Sequence, residues 1–307
     1  MRRAFAACAL TLLAACSSTP PPVPERDMRG LQDAIAELCD SFQGVAGVFV
    51  RDLTTGAEAK VNADVVVPTA SLVKVPILIG VFDRLERGEL AYRKPLAYDV
   101  ERKYPGEDLL ARFENGSTIP LAELCMLMSA MSDNTASLWC QELAGGGASI
   151  NTWLERNGFA ETRVNSRTEG RKDAQKDYGW GQTTPREMAN LLVAIRERRV
   201  VSRAASEEME RILSRSYWST EALSSIPPSV HVMSKQGAVN RSRSEVLLVD
   251  APSGPFALCV ATMDQSDESW EHANEGFQLI RDVTAAAWKF MEPSSPYAPA
   301  AGSNRFW

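Results

Sequence analysis

The segment Pro68-Thr-Ala-Ser-Leu-Val-Lys-Val-Pro-Ile-Leu78 sets more conditions on the fold than any other part of the chain. Apolar Val73, Ile77 and Leu78 recur at helical spacing, so a helix is expected to open here and run to about Leu85, where Arg87-Gly88 breaks it. Ser71 then lies in the first turn, with Lys74 one turn later on the same face. A serine hydroxyl is a weak nucleophile until a base stands beside it, and a desolvated lysine amine is such a base. The helix start adds unpaired N–H groups and a positive dipole end for a developing oxyanion. Taken alone, Ser-x-x-Lys is also what an ordinary helix start with an exposed lysine looks like.

The rest of the chain has to build a scaffold for that helix. Leu31, Ile35, Leu38 and Phe42 recur at helical spacing and Gly44 ends the pattern. Strands are expected over Val45–Leu53 and Glu58–Val61, joined by the turn Thr54-Thr-Gly-Ala. Ile119–Met131 reads as a strongly apolar helix, and a second helix follows Ser132-Asp-Asn-Thr until Gly145-Gly-Gly147 stops it. The stretch from Asn165 to Gln182 is polar and reads as a long loop, the kind that is commonly functional. Thr184 as N-cap, Pro185 at the first helical position and Glu187 three residues after the cap open another helix. β character returns after about Tyr217, with strands over Val230–Gly237, Glu245–Asp250 and Phe256–Thr262 before a closing helix, Trp270–Met291. This order implies an α+β fold: an antiparallel sheet assembled from both ends of the chain, flanked by N- and C-terminal helices, with an all-helical domain inserted. The expected divisions are 27–66 and 217–291 for the sheet domain, 67–216 for the helical domain, and 292–307 for a disordered Pro/Ser/Ala tail.

Other function classes are disfavoured. A formal charge of −6 without a long basic run argues against nucleic acid as the partner. Only His231 and His272 are present, far apart, which weakens a Ser-His-Asp triad and leaves little for zinc, so no metal and no cofactor is expected. Arg2-Arg3, the apolar run Ala4–Ala15 and Leu13-Ala-Ala-Cys16 form an export signal too short to span a bilayer. Residues 17–26 are a Pro/Ser-rich tether. Cys39, Cys125, Cys140 and Cys259 remain; an exported compartment permits disulfides, but their pairing stays open.

Three motifs stand in order: Ser71-Leu-Val-Lys74, Ser132-Asp-Asn134 and Lys235-Gln-Gly237. The series resembles the Ser-x-x-Lys, Ser-Asp-Asn and Lys-Thr-Gly of class A β-lactamases and penicillin-binding proteins, over roughly Leu31 to Met291. Arg167-Thr-Glu169 resembles the Arg-x-Glu of the class A Ω-loop. Leu-Ala-Ala-Cys16 resembles the bacterial lipoprotein box, which implies a lipidated Cys16 and, with Ser17, a site on the periplasmic face of the outer membrane. The resemblance implies that Ser71 attacks a lactam carbonyl, with Lys74, and Glu169 through water, taking protons. Ser132 protonates the departing nitrogen and Lys235 holds Ser132 and favours anionic substrates. The N–H groups of Ser71 and Ala238, beside Gly237, form the oxyanion hole. Asn134 binds the substrate side-chain amide and Tyr104 flanks the mouth. Three departures stand out. Gln236 replaces the motif's hydroxyl, with Arg241 or Arg243 as candidate carboxylate ligands. Asp173 stands where an asparagine is usual, and Gln182 stands where an acidic partner of the loop arginine is usual.

The expected activity is that of a monomeric β-lactamase-like serine hydrolase acting on a β-lactam or a peptidoglycan-peptide-like substrate. Its rivals are a penicillin-binding, D-alanyl-D-alanine carboxypeptidase-like or esterase-like relative with slow deacylation, and a non-enzymatic envelope lipoprotein.

Overall fold

The computed structural model describes residues 26–106 and 108–306, so the export signal and Cys16 lie outside the described residues. Helix α1 (Arg29–Asp40) leads into strands β1 (Val45–Asp52), β2 (Glu58–Val61) and β3 (Val67–Pro68). A 3-10 turn over Ala70–Val73 then opens α2 (Lys74–Glu86). The middle of the chain carries β4 (Pro95–Ala97), β5 (Thr118–Pro120), α3 (Leu121–Ala130), α4 (Asn134–Leu143) and α5 (Gly146–Arg156). It continues through β6 (Arg163–Val164), α6 (Lys172–Tyr178), β7 (Gly181–Thr183), α7 (Pro185–Arg196) and α8 (Arg203–Leu213). Strands β8 (Val232–Val239), β9 (Ser242–Val249) and β10 (Phe256–Met263) and helix α9 (Glu275–Met291) complete the order.

The main sheet is antiparallel and runs β2-β1-β10-β9-β8, so strands from the two ends of the chain meet at the β1–β10 pair, with Val48 opposite Val260. Period-2 alternation sends the side chains to two cores. Val48, Val50, Leu247, Val249, Leu258 and Val260 pack with Leu31 and Ile35 of α1 and Ile280 and Val283 of α9. Phe49, Val246, Leu248, Ala257 and Cys259 face the helical block, with Met188, Leu191 and Ile195 of α7. Both faces are covered, which is why all eight residues of β9 are buried and its sequence shows no polar alternation.

Helix α2 runs through the helical block, with nine of its residues buried. Its fit against α5 depends on Gly80, where a Cβ would come within 2.8 Å of Ile150 Cγ1. Helix α7 begins where the capping pattern indicates: Thr184 Oγ1 accepts from Glu187 N at 3.1 Å. The Glu187 carboxylate does not return to the cap; it takes Thr162 N and Thr162 Oγ1, both at 2.7 Å, and so ties α7 to β6.

Three sequence expectations need correction. The Gly145-Gly-Gly147 run does not only stop α4: Gly145, at φ 90°, turns the chain straight into α5. The 165–182 stretch is not all loop, because Lys172–Tyr178 forms α6. The segment after α9 is anchored at its start, with Trp288 Nε1 donating to Ser295 O at 3.0 Å and Tyr297 packed against the core. The four described cysteines are free thiols.

Candidate active site

The 3-10 turn and the first residue of α2 place Ser71 and Lys74 between the sheet edge and the helical block. Lys74 is 1% exposed, and its ammonium form is pushed well down by burial and by the nearby Lys235 charge. Its Nζ lies 2.8 Å from Ser71 Oγ, 2.6 Å from Ser132 O, 3.0 Å from Ser132 Oγ and 2.9 Å from Asn134 Oδ1. A neutral amine has two donors and one lone pair. The carbonyl of Ser132 and the amide oxygen of Asn134 can only accept, so they take the two donors. The lone pair is left for a hydroxyl, and the nearer one is Ser71.

Ser132 is held in the left-handed region, at φ 60°, as is Ala70 just before Ser71, at φ 44°. Each such residue costs about 1–3 kcal/mol, which the surrounding contacts must offset. Asp133 supplies much of this at Ser132: its carboxylate caps α4 through Ala136 N at 2.7 Å and takes Leu110 N at 2.9 Å. Asp108 takes Thr135 N at 2.8 Å. These bonds fix the start of α4 and therefore Ser132 and Asn134 on either side of Asp133.

On the facing sheet edge, Lys235 Nζ donates to Ser132 Oγ at 3.0 Å and to Gln236 O at 2.8 Å. Burial pushes its pKa down to about 7, against the raising effect of Glu245. Gly237 lets β8 approach the 3-10 turn. A Cβ there would lie 2.8 Å from Thr69 O and 3.0 Å from Ser71 N. The backbone N–H of Ser71 therefore faces the strand that carries Ala238. Ser71, Ser132, Asn134, Gln236, Gly237 and Ala238 line one cavity of about 1000 Å³.

The structure does not bring Glu169 to this group. Its neighbour Thr168 turns inward, with Oγ1 donating to Ser166 O at 3.0 Å and filling the space above Gly147, where a Cβ would come within 1.8 Å of it. The next side chain, Glu169, therefore points out and is exposed, and it is not among the residues lining the cavity. The arginine that closes the loop is also different. Arg167 is exposed, whereas Arg171 donates to Gln182 Oε1 at 2.6 Å and to Asn165 Oδ1 at 3.0 Å. Asp173 sits exposed in the first turn of α6. Tyr104 stands beside α4, its N–H on Thr135 Oγ1 at 3.0 Å and its ring edge-to-face with Trp180 at 5.1 Å, outside the cavity lining.

Neither candidate arginine serves the cavity. Arg243 is fully buried and donates to the carbonyls of Val239, Ser242 and Ser269 at 2.6, 2.9 and 2.6 Å. Arg241 is turned to Asp264 O and Gln265 O. A residue with no motif around it proves central instead. Glu245, opposite Gln236 across the β8–β9 pair, is buried and accepts from Ser234 Oγ at 2.8 Å and Ala222 N at 2.9 Å. Burial pushes its carboxyl up to about 7. No motif marks it in the sequence, where it follows Ser242-Arg243-Ser244 in the polar first half of β9.

Comparison with known proteins agrees with this geometry. The profile of a family described as the beta-lactamase enzyme family matches residues 30–291. The beta-lactamase regulatory protein BlaB of Streptomyces cacaoi is 36% identical over 112 residues, 36% of this chain and 34% of that protein, so the match spans about a third of that relative. The beta-lactamase VEB-1 of Pseudomonas aeruginosa is 22% identical over 257 residues, 80% of this chain and 84% of its own. Among solved structures, that of PBP-A superposes with a TM-score of 0.77 at 25% identity, covering 89% of this chain and 100% of its own.

Proposed function

The chain belongs to the beta-lactamase enzyme family, and on that premise we propose that it is a serine hydrolase of the class A type, opening the β-lactam amide through an acyl-enzyme at Ser71. The observation that carries this reading is the set of four contacts at Lys74 Nζ, which leaves a neutral amine's lone pair for Ser71 Oγ at 2.8 Å. A variant of PBP-A has been captured as an acyl-enzyme with penicillin G, which supports the same chemistry for a fold this similar.

With the lactam carbon over Ser71 Oγ, the hydroxyl proton passes to Lys74 as the Oγ–C bond forms, and the carbonyl oxygen takes the electron pair. The N–H groups of Ser71 and Ala238 face that oxygen. As the C–N bond breaks, Ser132 Oγ gives its proton to the departing nitrogen and recovers one from Lys74, 3.0 Å away. Lys74 is then neutral again. Water attacks the ester, its proton goes to Lys74, and Ser71 Oγ leaves with that proton. The sum is lactam plus water to the ring-opened acid. Because Lys74 Nζ lies 2.8 Å from Ser71 Oγ while Glu169 is exposed and outside the cavity lining, Lys74 is assigned the proton transfers of both halves.

Ser71→Ala is expected to abolish the penicillin adduct, and Lys74→Ala to slow acylation by ~10²-fold or more, the scale of a lost general base. Undiminished labelling of Ser71→Ala overturns the assignment. We further propose that the chain acts as a monomer in the bacterial envelope, on the periplasmic face of the outer membrane, held by lipid on Cys16. The support is Leu13-Ala-Ala-Cys16 and the Pro-rich tether after it. Cys16→Ser should move the protein from the membrane to the soluble fraction, and an unmodified mature N-terminus elsewhere would refute the anchor.

A further inference from the structure

The wall of the cavity beyond β8 carries charge of one sign. Glu221 and Glu271 stand there with Tyr217, Trp218 and Trp270, and among the described residues no lysine or arginine lines the cavity. Two cations lie behind the wall, both buried and committed: Arg281 donates to the Glu221 carboxylate, to His272 O at 2.6 Å and to Gln278 Oε1 at 2.9 Å, and Arg243, under Trp270 and Phe277, is spent on backbone carbonyls. His272 faces the cavity with Nδ1 3.1 Å from Arg281, and burial, then the Arg281 charge, push its pKa down, which favours the uncharged ring. Asp108 and Asp133 line the same cavity and are tied to backbone N–H groups of α4 and Leu110. The exposed carboxylate at the rim is Glu271.

The aromatic rings beside it are open to solvent to a degree that large apolar side chains rarely are. Tyr217 and Trp270 are each 63% exposed and Trp218 is 42% exposed. Two of them are held in place. Trp218 Nε1 donates to Met131 O at 3.0 Å, and the Arg243 guanidinium lies 4.8 Å from the Trp270 ring centre. Fixed indoles beside an unneutralised carboxylate attract flat cations and disfavour anions.

The catalytic group says which part of a substrate reaches this wall. The lactam nitrogen is assigned to Ser132 Oγ; Trp218 is bonded to Met131 O, next to Ser132, and Trp270 lies over Arg243, the cross-strand partner of Ala238 on β8, so both indoles flank the nitrogen side of the group. Resting on the acyl-transfer reading above, we infer that this wall is a specificity subsite that selects substrates carrying a flat cationic group on the nitrogen side of the lactam.

The test uses two cephalosporins with the same acylamino side chain, one with an acetoxymethyl and one with a pyridiniomethyl group at C3. Second-order acylation rates are measured on the full chain and divided by each compound's hydroxide hydrolysis rate, which removes intrinsic reactivity. The pyridinium compound should be favoured by about 10-fold, the scale of a cation–π contact with a charge pair. Glu271→Gln should lower that preference several-fold, Glu271→Lys should abolish it, and Trp270→Ala should reduce it with little effect on the acetoxy compound. A ratio unmoved by all three substitutions overturns the subsite while leaving acyl transfer intact. If neither compound acylates Ser71, the reading of the site itself fails.

Discussion

At the scale of single residues, the account rests on which lysine holds a proton. Burial and the Lys235 charge both push the Lys74 pKa down, toward the neutral amine, against the raising effect of Asp108 and Asp133. Protonation removes its lone pair, so acylation should rise with pH through the shifted pKa and then level. Lys235 behaves oppositely: as an ammonium it has a donor beyond those given to Ser132 Oγ and Gln236 O, and it loses that proton near pH 7. For a substrate with a carboxylate, the rate should fall above that point. The Glu245 charge raises the Lys235 pKa, so Glu245→Gln should move the falling limb to lower pH; a limb that stays in place would disconnect Glu245 from the site. Ser71, Lys74, Ser132 and Lys235 were legible in the sequence because each sits in a short motif whose spacing reflects local geometry. Glu245 was not, because it meets Gln236 only through the β8–β9 register. Arg243 misled for the same reason: a basic residue on a strand does not show that its side chain is buried under Trp270 and Phe277.

At the scale of elements, the site depends on how closely an edge strand approaches a helix start. A Cβ at Gly237 would meet Ser244 Oγ, which can rotate, but also the backbone atoms Thr69 O and Ser71 N, which cannot. Gly237→Ala should therefore push β8 from the 3-10 turn and lower acylation by ~10-fold or more through misplacement of the oxyanion donors. Measured beside thermal unfolding, an unchanged rate would mean that this approach is not needed. The 165–182 loop is the second such element. Arg171 holds Asn165 and Gln182 together, so Arg171→Ala should loosen β6 and β7, seen as faster hydrogen exchange at Trp180 and Gly181, with Ser71 still acylated. Exchange at wild-type rates would show that the arginine does not close the loop. Helix starts such as α7 could be read in advance because capping is local. The loop's direction could not, since it turns on one threonine fitting over Gly147 in another helix.

At the scale of the whole molecule, strands from the two ends of the chain close one sheet, and the site lies where its edge meets the inserted helices. The sharing of one sheet by both chain ends was readable from the order of apolar patterns; the cavity's acidic, aromatic wall was not, because residues 217–221 and 270–272 join it only in the fold. Helices α1 and α9 cover the sheet face opposite α7, so damage there should reach stability before chemistry. Trp288→Ala should cost about 3–5 kcal/mol in urea unfolding, while the folded fraction still acylates Ser71 at the native rate. Loss of acylation in the folded protein would contradict that separation. The central claim is that Ser71 is acylated by a β-lactam and then released with Lys74, at its side, as the base. Intact-protein mass followed after a penicillin pulse tests it most directly, with peptide mapping and with Glu169→Gln in parallel. The account predicts an adduct on the Ser71 peptide that appears and then clears, at similar rates in the native protein and in Glu169→Gln. An adduct that never clears, one on another residue, or one that persists only when Glu169 is changed would contradict it.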